Sequence, residues 1–165
     1  TSGSAIFLRH GAGPIHSNLS AVISTVGALN TYRTSCGGSG NEKIFYVEVP
    51  AGGELTIRMT SNTYDSRHET RWGGSCPGDN SVACTDDPDT SQHSWINTQG
   101  STQTAYFIVD AYSSGSGDFV LEWNATPSRR FRRFRRFRRL VPAPAPAASV
   151  PASVPASVSA AAAFA

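Results

Sequence analysis

Polar and apolar residues alternate strictly over Glu54-Leu55-Thr56-Ile57-Arg58-Met59-Thr60. A period of two places Leu55, Ile57 and Met59 on one face and predicts a half-buried strand. The Pro50-Ala51-Gly52-Gly53 turn separates it from an apolar-rich strand over Ile44-Phe45-Tyr46-Val47-Glu48-Val49. The run from Gln103 to Asp110 is nearly continuous in apolar residues and predicts a buried strand. A Ser/Gly turn at 113–117 then leads into 118–124, where Phe119, Leu121 and Trp123 share one face. Shorter strands are expected at 21–26, 66–72, 81–84 and 92–97. About eight short strands punctuated by turns predict an all-β chain, a single jelly-roll-like β-sandwich. The 15 glycines suit so many turns. No apolar run reaches the roughly 18 residues needed to cross a membrane.

Charge changes this picture by dividing the chain. Residues 1–128 carry 6 basic and 12 acidic groups, formally −6, whereas residues 129–165 carry eight arginines and no acid. The boundaries expected are an N-terminal extension at 1–20, the sandwich at 21–126, a basic segment at 127–140 and a Pro/Ala/Ser/Val-rich tail at 141–165. Within the basic segment Phe131, Phe134, Phe137 and Leu140 recur every three residues between arginine pairs that include Arg130, Arg133 and Arg136. Three residues make one turn of a polyproline II helix, so these apolar groups would form a straight stripe between arginine edges. The proline-rich continuation favours the same extended, low-complexity form. Such a segment cannot bury enough apolar surface alone to offset its ordering entropy, so it implies a partner. The partners that fit are other copies of the chain or other subunits of an assembly, acidic polysaccharide, or a membrane surface met by residues 129–140. Nucleic acid is disfavoured, because the body is acidic and its features are those of a secreted protein.

Several segments in fixed order resemble the bacterial pre-peptidase C-terminal domain family. They begin with Thr25-Val26-Gly27-Ala28-Leu29-Asn30-Thr31-Tyr32 and Ser35-Cys36-Gly37-Gly38-Ser39-Gly40. Phe45 through Ile57, Tyr64-Asp65-Ser66, Gly74 through Gly78 and Val82 through Asp87 follow, and the hairpin from Ala105 to Leu121 closes the series. The resemblance covers roughly residues 21–124. It implies a small, non-catalytic jelly-roll module of secreted or surface proteins, often calcium-binding and linked to adhesion or solubility. It also implies that Cys36 lacks its usual partner, since the 60–64 region carries Ser61 here; Cys36 would then be free or joined between chains.

The chemistry-bearing residues follow. Asp86, Asp87 and Asp89, with Asp65 brought near them by the resemblance, are candidate ligands for a structural Ca²⁺, which takes six to eight oxygens. Cys76 and Cys84 flank the turn-rich Pro77-Gly78-Asp79-Asn80 and are expected to close a small disulfide loop. Trp72, Trp95 and Tyr112, near strand ends, are candidate glycan contacts, because an aromatic face can stack on a sugar ring. Asn18 and Asn124 head Asn-X-Ser/Thr sequons, and Pro127 makes the second a poorer acceptor. His68 and His93 read as surface histidines. Ile6-Phe7-Leu8-Arg9-His10-Gly11 matches the Arg-His-Gly of histidine phosphatases, but the α/β scaffold that this chemistry needs does not follow. These features predict a secreted, non-catalytic structural or adhesive subunit. The alternative is a carbohydrate-binding accessory module. Extracellular or surface location fits the cysteines, the sequons and the near-absence of lysine.

Overall fold

The computed structural model describes residues 5–8, 17–18 and 22–127. Among these residues every regular element is a strand: β1 (Ile6–Phe7), β2 (Ser17–Asn18), β3 (Ile23–Ser24), β4 (Lys43–Val49), β5 (Glu54–Asn62), β6 (Ser66–Trp72), β7 (Asn80–Thr85), β8 (His93–Ile96), β9 (Gln103–Ala111) and β10 (Asp118–Thr126). The expected strands are all present, and the two-residue β1 and β2 are additions. The basic segment, the proline-rich tail and most of the N-terminal extension lie outside the described residues.

Two sheets pack face to face. One runs β1-β4-β9-β6-β7, and the other runs β2-β10-β5-β8 with β3 also on β10. Apart from the parallel β1–β4 pair, the ladders are antiparallel. The period-two faces supply the core: Phe45, Val47 and Val49 from β4, Leu55, Ile57 and Met59 from β5, and Phe119, Leu121 and Trp123 from β10. Phe45 meets Phe119 edge-on across the sandwich, with ring centroids 6.0 Å apart.

β9 is buried on both faces. Ala105, Phe107 and Val109 point into the sandwich, and Tyr106, Ile108 and Asp110 are also covered. The cover is the segment 30–42, which crosses the outer face of the first sheet. It is fastened by Glu69, whose carboxylate accepts from the Ser35 N–H at 2.9 Å and the Ser35 hydroxyl at 3.0 Å. Glu42 anchors the same segment by accepting from the Thr31 and Tyr32 N–H groups. Gly38 lies so close to Asp110 that a Cβ there would collide with the carboxylate, and its φ of +95° also favours glycine.

A disulfide locks this cover in place, and it corrects the expected pairing. Cys36 is bonded to Cys84, with Cα atoms 5.8 Å apart, and Cys76 is a free, exposed thiol. Short spacing suggested Cys76–Cys84, but Cys84 lies on β7 beneath the cover, while Cys76 sits in the turn before that strand. Cys36 is neither free nor joined between chains in this arrangement. Disulfides persist more readily in oxidising compartments than in reducing ones.

Candidate functional site

Strand directions give the sandwich two poles. At one lie the starts of β4, β6 and β10 and the ends of β5, β7 and β9, with the loops 63–65, 86–92 and 112–117. Asp65, Asp86, Asp87, Asp89, Asp118, Asp110 and Glu42 all belong to this pole. At the other lie the turn 50–53, the loops 73–79 and 97–102, and Thr126, where β10 ends. Glu48, Glu54 and Asp79 are the acids there. Acidic charge among the described residues is therefore concentrated at the pole remote from the end of β10.

The structure brings the four candidate calcium ligands into one neighbourhood. Asp65 is exposed, and its carboxyl is pushed above the usual range by desolvation, then by Asp89, Asp87 and Asp86. Two of the four are already engaged. Asp86 makes a two-point pair with Arg67, Nε to Oδ1 and Nη2 to Oδ2 both at 3.0 Å, which holds its carboxyl below the usual range. Asp89 Oδ1 accepts from the Ser66 N–H at 3.0 Å and its hydroxyl at 2.7 Å. Among the described residues no group of three or more His, Cys, Asp or Glu side chains is arranged to hold a metal. Asp65 and Asp87 are the two of the four for which the structure gives no side-chain hydrogen bond, and Ca²⁺ takes six to eight oxygens.

The glycan-contact candidates are placed differently from one another. Trp72 and Trp95 stack on each other across the sandwich, with centroids 5.4 Å apart and planes at 23°, and both pack against the core. Each therefore spends one face on the other. Tyr112 is exposed, but the Arg67 guanidinium lies 4.4 Å over its ring. An aromatic row that the sequence reading missed crosses the outer face of the first sheet. Phe7 lies 5.0 Å from Tyr46, and Tyr46 lies 6.4 Å from Tyr106. The signal was present, since Tyr46 and Tyr106 alternate with core residues, but nothing marked β1 as a strand beside them.

The histidines correct another expectation. His68 and His93 are buried, with rings 4.7 Å apart. The reason is the inward face of β6, where Ser66, His68, Thr70 and Trp72 replace the aliphatic set found on β4 and β5. His93 bonds both ring nitrogens, Nδ1 to the Thr70 hydroxyl at 2.7 Å and Nε2 to the Thr85 hydroxyl at 3.0 Å. His68 Nε2 lies 3.1 Å from the Ser91 carbonyl, and its Nδ1 is buried without a hydrogen-bond partner. Burial lowers both pKa values, and for His93 burial and then His68 bring it down to about 4. Asp110 goes the other way: burial lifts it to about 6 against the stabilising N–H groups of Thr34 and Gly40.

Of the sequon residues, Asn124 is paired with Thr56 in the middle of a ladder, with its Oδ1 buried and unpartnered. Asn18 lies in β2 opposite Glu122. Arg130, Phe131, Arg133, Phe134, Arg136, Phe137 and Leu140 lie outside the described residues. One more feature stands at the acidic pole. A groove of about 230 Å³ opens between Ile6, Ala28, Leu29, Glu42, Lys43 and Ile44.

Comparison with protein-family models, curated proteins and solved structures returns no match.

Proposed function

We propose that the chain is a non-catalytic structural or adhesive subunit of an extracellular or surface assembly. The sandwich would serve as the rigid body, and the arginine-rich segment would dock on neighbouring subunits or another acidic partner. The observation that carries this reading is the separation of charge. Seven acids gather at one pole, and the segment bearing eight arginines follows the strand that ends at the other. Acids at one pole and a cationic segment continuing from a strand that ends at the other favour head-to-tail contacts, and contacts of that heterologous kind propagate into rings or filaments. The Cys36–Cys84 disulfide supports the extracellular setting. The order of segments resembling the pre-peptidase C-terminal family supports a jelly-roll module, and with it an accessory rather than a catalytic part. Calcium enters this reading only if the Arg67–Asp86 pair opens to free a carboxylate.

A second reading is favoured by one observation, the neighbouring rings of exposed Phe7 and half-buried Tyr46. Exposed aromatic faces suit stacking on a polysaccharide, with the basic segment holding acidic sugars. Light scattering of the full chain across a salt series separates the two. Native chains should form large species that dissolve with salt, and replacing Arg130, Arg133 and Arg136 by Gln should leave smaller ones. Unchanged assembly of the Gln variant would overturn the subunit reading. Retention on polysaccharide that Tyr46→Ala abolishes without altering mass would favour the second.

A further inference from the structure

The groove at the acidic pole is built from two pieces of chain that the sequence does not mark as related. Ile6 lies on the edge strand β1, in register with Phe45, and Ile44 lies at the start of β4. The opposite wall is Ala28 and Leu29, held against β4 by the Glu42 N–H, which donates to the Leu29 carbonyl at 2.9 Å. Leu29 is 45 % exposed and Ile6 39 %, and neighbouring Val26 is 67 % exposed. Apolar side chains of this size left in water beside a cleft mark a surface that something covers. Glu42 lies in the wall, its carboxylate turned to Thr31 and Tyr32, and Lys43 is the one cation among the lining residues.

What covers it must satisfy two conditions. It must place a bulky apolar group in a cleft of about 230 Å³, and it must carry cations that suit the aspartates farther along the same pole, Asp65, Asp87 and Asp89. The chain's own basic segment meets both, since each of Phe131, Phe134 and Phe137 is flanked by arginine pairs. Its reach also fits. Extended at about 3.1 Å per residue, the eleven positions 129–139 span roughly 30 Å. The distance from β4 across β9 and β6 to β7 is three strand spacings, about 14 Å. One segment can therefore fill the groove beside β4 with a Phe and still set arginines against Asp65, Asp87 and Asp89. Position decides between the same copy and another. The chain leaves at Thr126, at the far pole, so its own segment would have to run back along the whole length of β10. That path is roughly 27 Å, and it uses up most of the residues needed for binding.

We infer that the groove between Ile6, Leu29 and Ile44 is the acceptor site for a phenylalanine of the 129–139 segment of a second copy, with the acidic pole receiving the flanking arginines. This rests on the subunit reading above and names the surface that the segment meets. A Phe seated in the groove and arginines on the rim make the contact one-directional, groove to segment, so each copy offers one donor and one acceptor.

The test exploits a difference in sign. Leu29→Asp and Ile6→Asp each remove apolar wall while adding negative charge. If arginines alone drove association, both variants would tighten it. If Phe seats in the groove, both should weaken it, raising the concentration for half-assembly by about tenfold or more, as expected for losing most of a buried Phe. Sedimentation velocity of the full chain at fixed salt over a concentration series reads this directly. Both positions are exposed, so thermal unfolding should match the native chain, and Val26→Asp provides a third variant. Weakening that a Phe131/Phe134/Phe137→Ser triple variant reproduces supports the site. Native association that Leu29→Asp leaves equal or tightens overturns the groove but leaves the subunit reading standing. A native chain that stays monomeric at every concentration overturns both.

Discussion

Two buried groups, His93 and Asp110, titrate in opposite senses as the fold meets acid, and replacing one reveals the other. His93 is 4 % exposed and titrates near 4 in the fold, against about 6.5 in an unfolded chain. The unfolded chain therefore binds the proton first, so this group's contribution is complete above pH 6.5 and is lost as pH falls toward 4. Between pH 7.5 and 4.5 the loss is about 2.5 kcal/mol, a large share of a typical domain's stability. His68, lowered by burial as well, adds in the same direction. Asp110 opposes them. Its folded value of about 6 lies above the ordinary 3.8, so the folded chain binds the proton first and gains about 2 kcal/mol over the same interval. Asp110→Asn removes that gain, and it should also raise stability at pH 7.5 by relieving a buried charge. Urea unfolding of the native chain, of Asp110→Asn and of Asp110→Asn with His93→Gln should be compared at both pH values. The Gln amide can still bond to the Thr70 and Thr85 hydroxyls. The single variant should lose about 2 kcal/mol more on acidification than the native chain, and the double variant should recover most of that. Equal losses in all three chains would refute the assignment of both groups.

The covalent and aromatic contacts make further predictions. Cys36–Cys84 closes a loop with a sequence separation of 48, which chain-entropy arguments value at about 4 kcal/mol. Cys36→Ser should cost about that much in chemical unfolding, and Cys76→Ser should lie within about 0.5 kcal/mol of native. Peptide mapping without reductant should recover the 36–84 cross-link and a free Cys76. Trp95→Ala removes half of a half-buried stack, so it should cost about 2 kcal/mol. Any glycan retention should survive it once folding is accounted for.

The strands were legible because β4, β5 and β10 each bury one face and so write their burial as a period of two. β5 shows this best: Leu55, Ile57 and Met59 are all buried, as their alternation requires. β6 defeats the same logic. Its sequence, SRHETRW, has no aliphatic residue, yet Ser66, His68, Glu69 and Thr70 are all buried. The inward positions are satisfied by hydrogen bonds and ring stacking rather than by hydrophobicity, and the outward Glu69 is buried only because the 30–42 cover lies over it. Polarity along one strand carries no sign of a segment that arrives from 34 positions away. The disulfide was misassigned for the same reason. Local spacing favours Cys76–Cys84, whereas the pairing is set by where the cover crosses the sheet.

The candidate site was half legible in this sense too. Clustered aspartates could be read directly, and so could the charge of the C-terminal segment. That the aspartates gather at the pole remote from Thr126, where β10 ends, follows only from strand direction, because the strands place loops 63–65, 86–92 and 112–117 together and send Thr126 the other way. The groove was invisible altogether, since Ile6 and Leu29 belong to stretches with no periodicity, and they meet only because β1 adds to the sheet in parallel beside β4.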